Sequence, residues 1–386
     1  MTGQTPLLMI PGPVEVSPAV REACASPPPG HLSPRVIEAF GAALGMMREV
    51  WRSGPTGQPF VVAGSGTTAM EMAALNLVEA GDRVLVVHTG YFSDRMAEML
   101  RRVGAEVRSV ISPPGAAPEE DEVRDALGAV RRPKALFATH VDTSTGVRID
   151  PRPLARLARE HGALSVFDGV CATAGERFEM EGWGADVYVT ASQKAIGLPP
   201  GLALLVASEA ALAAREARRE PPPLVLDWMA WLPIMRAYEE RRPAYFATPA
   251  TNLILALEVG LREILADGIE ARVALHERAG RALRAAWTAM GLKALPVRED
   301  LRANTLSALW YPEGAGPALV ARVAERGVAI AGGLHPEIRE RYFRVGHMGY
   351  AVTRPDMLLR TVEAVEASLP GPASGAGARA VRSLLG

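Results

Sequence analysis

From about residue 58 the chain alternates between two patterns of apolar positions. Short apolar runs at 60–62, 83–88, 106–111, 135–139, 164–167, 186–190 and 201–207 predict buried strands;. Between several of them, apolar residues recur three and four apart, predicting helices over 92–102, 119–130 and 154–161;. Strand–helix alternation builds right-handed βαβ units and hence a mostly parallel sheet, so the fold class read here is α/β. Upstream, Ile10-Pro11-Gly12-Pro13 and Pro27-Pro28-Pro29-Gly30 are rigid extended turns;. Ser33-Pro34 then caps a helix, with Pro at its first position, whose apolar face carries Val36, Phe40, Leu44 and Met47;.

After residue 207 the pattern lengthens. A polar helix over 209–220 stops at Pro221-Pro222-Pro223, and 238–251 (YEERRPAYFATPAT) is irregular and basic. A long helical pair follows, split at Asp267-Gly268, with His276 on its apolar stripe as a satisfied core histidine. From about 291, short strands (306–310, 328–330, 342–345) mix with helices (318–325, 355–368), which predicts a smaller α+β unit. The expected division is a large unit over 1–290, including an N-terminal segment 1–34, and a small C-terminal unit over 291–369. The small-residue tail 370–386 is expected to be disordered;.

Composition narrows the function classes. At 386 residues, 22% charged and a net charge of −1, the chain has ample core and no basic excess for a nucleic-acid partner;. No apolar run approaches the roughly 20 residues of a membrane span, and the N-terminus lacks a leader's basic and apolar regions. Two cysteines, Cys24 and Cys171, make neither a disulfide framework nor a metal-ligand set;. The expectation is a reduced, cytoplasmic protein.

Within that ordinary background, lysine usage stands out. Of 42 basic residues only Lys134, Lys194 and Lys293 are lysines. Arginine serves salt bridges and surfaces as well, but it stays protonated, whereas a buried lysine can give up its proton and act as an amine nucleophile. Lys134 and Lys293 precede short apolar runs and read as surface residues. Lys194 instead lies between a strand and the turn Ile196-Gly197-Leu198-Pro199-Pro200-Gly201, and the preceding strand, 164–167, delivers Asp168. Ligands of α/β proteins sit outside the carboxyl ends of the strands, so Asp168 and Lys194 can face one cavity. A carboxylate for a pyridinium nitrogen and a lysine for a Schiff base are the protein groups that pyridoxal phosphate needs.

A glycine-rich turn, Ala63-Gly64-Ser65-Gly66-Thr67-Thr68, enters a helix and offers an anion site of backbone N–H groups and hydroxyls;. Gly64-x-Gly66-x-x-Ala69 also matches a dinucleotide fingerprint, but the next strand ends in His88-Thr89-Gly90, without the acidic residue that would hold a ribose;. No Gly-Lys-Ser/Thr follows, which excludes a P-loop. A single phosphate fits the turn best.

Taken in order, Pro11-Gly12-Pro13, Gly64-Ser65-Gly66-Thr67, Ser144-Thr145-Gly146, Asp168, Ser192-Gln193-Lys194 and Pro199-Pro200-Gly201 resemble the class V, fold-type I aminotransferases, in particular their alanine/serine–glyoxylate (serine–pyruvate) branch, from about residue 8 to 368. The resemblance implies a fold-type I pyridoxal-phosphate-dependent transferase. Its large domain would hold a mostly parallel sheet and its smaller C-terminal domain would be α+β. It implies Lys194 as the Schiff-base lysine and mover of the α-proton, with Asp168 on the pyridinium nitrogen. Ser65, Gly66 and Thr67 would cradle the phosphate with Gln193 beside them. Phe92 would stack on the ring, and Thr143 would place a hydroxyl near it. Tyr245 and Thr248 would reach the phosphate of a neighbouring subunit, which implies a homodimer with shared sites. Arg344 would grip the substrate α-carboxylate with its planar fork.

Residues 331–347 hold no cysteine, which argues against a desulfurase of the same fold. His335 and His347 flank Arg344 outside the pattern, either lining the pocket or solvated. The expected reaction moves the amino group of a small amino acid (alanine, serine or aspartate) to glyoxylate or pyruvate. Alternatives are a lyase, an aminophosphonate or phosphoserine transaminase, or a cofactor-free binding protein on the same scaffold.

Overall fold

The computed structural model describes residues 5–385. The first four residues of the N-terminal segment and Gly386 of the tail lie outside these. Seven strands form the main sheet: β1 (Gln58–Gly64), β2 (Arg83–His88), β3 (Glu106–Ile111), β4 (Ala135–Thr139), β5 (Leu164–Asp168), β6 (Val187–Ala191) and β7 (Gly201–Ala207). Their spatial order is β1-β7-β6-β5-β4-β2-β3. All pairings are parallel except the two made by β7, which runs against β1 and β6. β4 and β6 are buried along their whole length, as strands covered on both faces by helices must be;. β3, at the edge, alternates exposed and half-buried residues.

The reversal of strand order between β2 and β4 opens a crevice at the carboxyl end of the sheet;. Into that end project the loops after β1, β2, β4, β5 and β6, each carrying one of the residues singled out from the sequence. Helix Gly66–Leu77, almost wholly buried, packs against β6 and β7 and aims its N-terminus at the same end.

A second unit follows the long helix Ile269–Ala289. Its antiparallel sheet runs β9-β10-β8, from β8 (Leu306–Trp310), β9 (Ala331–Gly332) and β10 (Tyr342–Gly346). It has its own apolar core around Leu283, Trp287, Phe343, Val345 and Leu358. The N-terminal strand Leu7–Leu8 crosses over to pair with Val328–Ala329, which pulls Pro11-Gly12-Pro13 across the mouth between the two units. Buried Glu176 adds a polar tie, accepting hydrogen bonds from Asn304 N and Nδ2 and from Arg148.

Four expectations need correction. The tail is not disordered: Ala376–Leu385 is a helix packed on Ile269–Ala289, with Ala378 and Val381 buried. Its alanines and glycines let two backbones approach closely, and Gly377 has no room for a Cβ beside Val362 and Met290. The segment 238–251 is not irregular throughout: its first two residues end a helix, Trp228–Glu239, capped by Asp227 and tolerating Pro233, and Thr251 begins the next. Ser33 occupies the N-cap position of Pro34–Trp51, yet its hydroxyl makes no capping bond. Finally, His335 and His347 are both buried, so neither is solvated.

Candidate active site

Lys194 follows β6 in a tight turn, where Gly197 N closes on the Lys194 carbonyl at 2.8 Å. Its side chain is buried, and Nζ donates to the Pro11 carbonyl. Gly12 is required there: its φ is +87°, and a Cβ would come within 2.5 Å of Lys194 Cδ;. Burial lowers the Lys194 pKa from its usual value; Arg344 pushes the same way, while Cys171, Asp168 and Asp142 oppose it;. A lysine so placed is shifted toward the neutral amine that a Schiff base requires.

Asp168 ends β5 and is 3% exposed. Its Oδ1 accepts one hydrogen bond, from Val170 N at 2.9 Å. Burial lifts its pKa to about 7, with Asp142 adding to the rise and the Val170 N–H, Lys194 and Arg95 opposing it. A carboxylate in this position is short of a cationic hydrogen-bond donor. A protonated ring nitrogen is such a donor.

The loop after β4 is built around Asp142, which is fully buried. Its Oδ1 accepts from Ser144 N (2.9 Å) and Ser144 Oγ (2.6 Å), and its Oδ2 accepts from Phe92 N (3.1 Å). Ser144 Oγ in turn accepts from Tyr91 N at 3.0 Å. One carboxylate therefore fixes both the Thr143 turn and the half-buried Phe92 that starts helix Tyr91–Arg102. Arg344, on β10, donates from Nε to Gly332 O (2.9 Å) and from Nη1 to Thr143 O (3.0 Å). That pair of bonds seats the guanidinium from the small unit against the large unit's loop.

Ser65 caps helix Gly66–Leu77 through a reciprocal box with Thr68 (Thr68 N to Ser65 Oγ 3.4 Å, Ser65 N to Thr68 Oγ1 3.1 Å);. The Gly66 and Thr67 N–H groups head the helix without intrahelical partners, as anion binding requires. Gln193 Oε1 is buried and has no hydrogen-bond partner among the described residues. The partner-poor Asp168 and the open head of the helix together fit a bound group with a protonated ring nitrogen and a phosphate;.

Of the residues named from the sequence, Ser65, Gly66, Thr67, Phe92, Thr143, Asp168, Gln193 and Lys194 lie in the strand ends, loops and helix starts at one end of the main sheet, and Arg344 reaches them through the Thr143 carbonyl. Tyr245 and Thr248 do not join them within one chain. Their hydroxyls are 3.5 Å apart, Tyr245 is 60% exposed, and its ring meets His31 at 5.2 Å. The structure adds residues that sequence reasoning passed over. Arg95 donates to Thr67 Oγ1 (3.2 Å) and Tyr91 Oη (2.7 Å) and lies over the Phe92 ring. Its place one helical turn after Phe92 was the available signal. The hold of Asp142 on Phe92 and of the Pro11 carbonyl on Lys194 could not be read in advance, because those contacts are 50 and 183 residues apart in sequence.

Comparisons with known proteins identify the family. Residues 55–348 match the family described as Aminotransferase class-V. The chain belongs to the class-V aminotransferases. Alanine–glyoxylate aminotransferase 1 of Saccharomyces cerevisiae is 36% identical over 369 residues, covering 90% of this chain and 93% of the yeast protein. L-aspartate–glyoxylate aminotransferase of Paracoccus denitrificans is 34% identical over 90% of this chain and 87% of its own. The crystal structure of alanine–glyoxylate aminotransferase from Nostoc sp. superposes with a TM-score of 0.87 at 31% identity, covering 95% of this chain and 96% of that one. The chain is thus a pyridoxal-phosphate-dependent aminotransferase, with the α/β architecture of fold-type I and a smaller C-terminal domain.

Proposed function

We propose that this class-V aminotransferase moves the amino group of a small amino acid (alanine, serine or aspartate) to glyoxylate or pyruvate, in two half-reactions at one site. The observation that carries the reading is the convergence, at the mouth between the two units, of a buried lysine shifted toward its neutral form, a buried carboxylate short of a cation, and a guanidinium seated on the Thr143 carbonyl.

Pyridoxal phosphate, when bound, supplies the electron sink that makes the donor's Cα–H acidic. Ser65, the N–H groups of Gly66 and Thr67, and Gln193 would hold its phosphate, Asp168 its ring nitrogen, Phe92 its face, and Thr143 would place a hydroxyl beside it. Lys194 Nζ then holds and moves the α-proton. Arg344 would bind the α-carboxylate of the donor and, once the first 2-oxo acid has left, that of the acceptor; one anchor serving both acids in turn lets only one bind at a time, as ping-pong kinetics require. Tyr245 and Thr248, exposed on each chain, complete the phosphate site of a partner subunit in a homodimer. The large unit would comprise residues up to 290 and the small unit those from 291 onward.

The test is the visible spectrum of the purified protein before and after L-alanine, L-serine and L-aspartate in turn. A band that one donor converts to the pyridoxamine form supports cofactor, reaction and donor together. A band that no donor shifts rejects these donors, and no band even with added pyridoxal phosphate rejects the reading. Lys194→Ala should lose both the band and the transamination.

A further inference from the structure

We propose that a second cavity, between helix Ile269–Ala289 and β8, binds a small organic carboxylate with an apolar body. The cavity encloses about 310 Å³ and shares no residue with the Lys194, Asp168 and Arg344 constellation. Its volume is at the lower end of the range for small-molecule sites, roughly 300–1,000 Å³, which admits an aryl or branched alkyl acid and excludes a nucleotide.

The charge pattern selects the ligand class. Arg284, Lys293 and Arg302 all line the cavity, and among the described residues no aspartate or glutamate does. This is unusual in a chain with 42 basic and 43 acidic residues, many of them joined in ion pairs. Among the described residues Lys293 and Arg302 form no ion pair, and Arg302 Nε is buried without a hydrogen-bond partner. Arg284 is held by Ala303 O at 3.1 Å and by Asn304 Oδ1. The acidic groups that act on it, Glu176 and Glu299, are not in the lining. Three like charges around one concavity focus a positive potential that an anion relieves, and two guanidinium forks suit a planar carboxylate.

The remaining walls are apolar. Trp287, Leu292, Leu306 and Leu309 form them, and the Trp287 indole N–H is already bonded to Ser307 Oγ at 2.9 Å. That indole therefore offers the site a hydrophobic surface and no free donor, which favours an apolar body over a sugar or a second charge. Lys293, one of only three lysines, stands exposed at the rim, where a flexible ammonium can follow an entering anion;. The cavity also touches the active-site loop from behind. Gly146 lines it, Ala303 N bonds Gly146 O at 3.2 Å, and the same loop presents the Thr143 carbonyl to Arg344. An anion here would hold residues 302–303 against that loop.

The test is titration calorimetry of the holoenzyme with 3-phenylpropanoate and with its uncharged amide, 3-phenylpropanamide, neither of which carries an amino or keto group. The expected result is saturable binding of one carboxylate per chain, with the amide at least about ten-fold weaker, the loss of one charge-assisted contact. Arg302→Glu and Lys293→Glu should each weaken the carboxylate by about ten-fold or more, Thr288→Trp should block the rim, and Arg344→Ala should leave binding intact. Lys293 and Thr288 are exposed, so those two variants test the site even if Arg302→Glu folds poorly. Equal binding of acid and amide would overturn the proposal. So would the absence of binding up to about 10 mM. Binding that survives the charge reversals but disappears in Arg344→Ala would place the anion at the substrate arginine and also overturn it.

Discussion

Replacing Asp168 with asparagine separates what the fold needs from what the cofactor needs. In the cofactor-free protein the buried carboxyl titrates at about 7 against its usual 3.8. A gap of roughly 3 pH units at about 1.36 kcal/mol each puts the cost of holding the ionised form at about 4 kcal/mol. The sign follows from proton counting. Between pH 4 and pH 7 the folded chain binds this proton more than the unfolded chain does, so stability is fully present below about 4 and falls as pH rises toward 7. Asparagine keeps the shape and can still accept from Val170 N, but carries no charge. Cofactor-free Asp168→Asn should therefore match the wild type near pH 4 and become the more stable protein above pH 7. The difference in urea unfolding free energy should grow by about 3 kcal/mol between pH 5 and pH 8. Adding pyridoxal phosphate should reverse the ranking, because only the carboxylate can pair with a protonated ring nitrogen. A wild-type-minus-variant difference that stays flat from pH 5 to pH 8 would refute the reasoning, since it would mean that Asp168 ionises in the fold as it does in water.

Other parts of the structure can be tested as directly. Arg344→Ala should raise the donor KM about a hundred-fold while the visible cofactor band stays, the loss expected for a charge-assisted contact to a carboxylate. Gly12→Ala forces a Cβ into the Lys194 side chain from a left-handed backbone, so it should remove the visible band at unchanged far-ultraviolet dichroism;. Ending the chain at Pro370 strips the helix that covers Ile269–Ala289 and exposes the site of Val381, costing about 2–3 kcal/mol, measurable as a lower Tm;. Glu176→Ala leaves the Asn304 amides and Arg148 without their buried acceptor and should destabilise by about 3 kcal/mol in urea unfolding;.

Much of this molecule is written in local pattern. Short, largely apolar runs such as 135–139 and 201–207 read as buried strands by their length, and their alternation with helices points to a mostly parallel sheet;. A lysine kept where arginine is the rule, placed one strand after a strand-end aspartate, marked Lys194 and Asp168 as partners. These signals were legible because each rests on composition or on the order of short local elements along the chain. The tail misled for the same reason: its alanines and glycines look like a flexible segment until helix Ile269–Ala289 supplies the surface they pack on. Tertiary structure alone decided which distant groups meet. It folded Lys194 onto the Pro11 carbonyl, made Asp142 the anchor of both Phe92 and Thr143, brought Arg344 across from a second sheet, and set Arg284, Lys293 and Arg302 around one cavity. Such meetings depend on how strands are ordered and how two units close, and that order is set by packing of the whole chain, which no single stretch records.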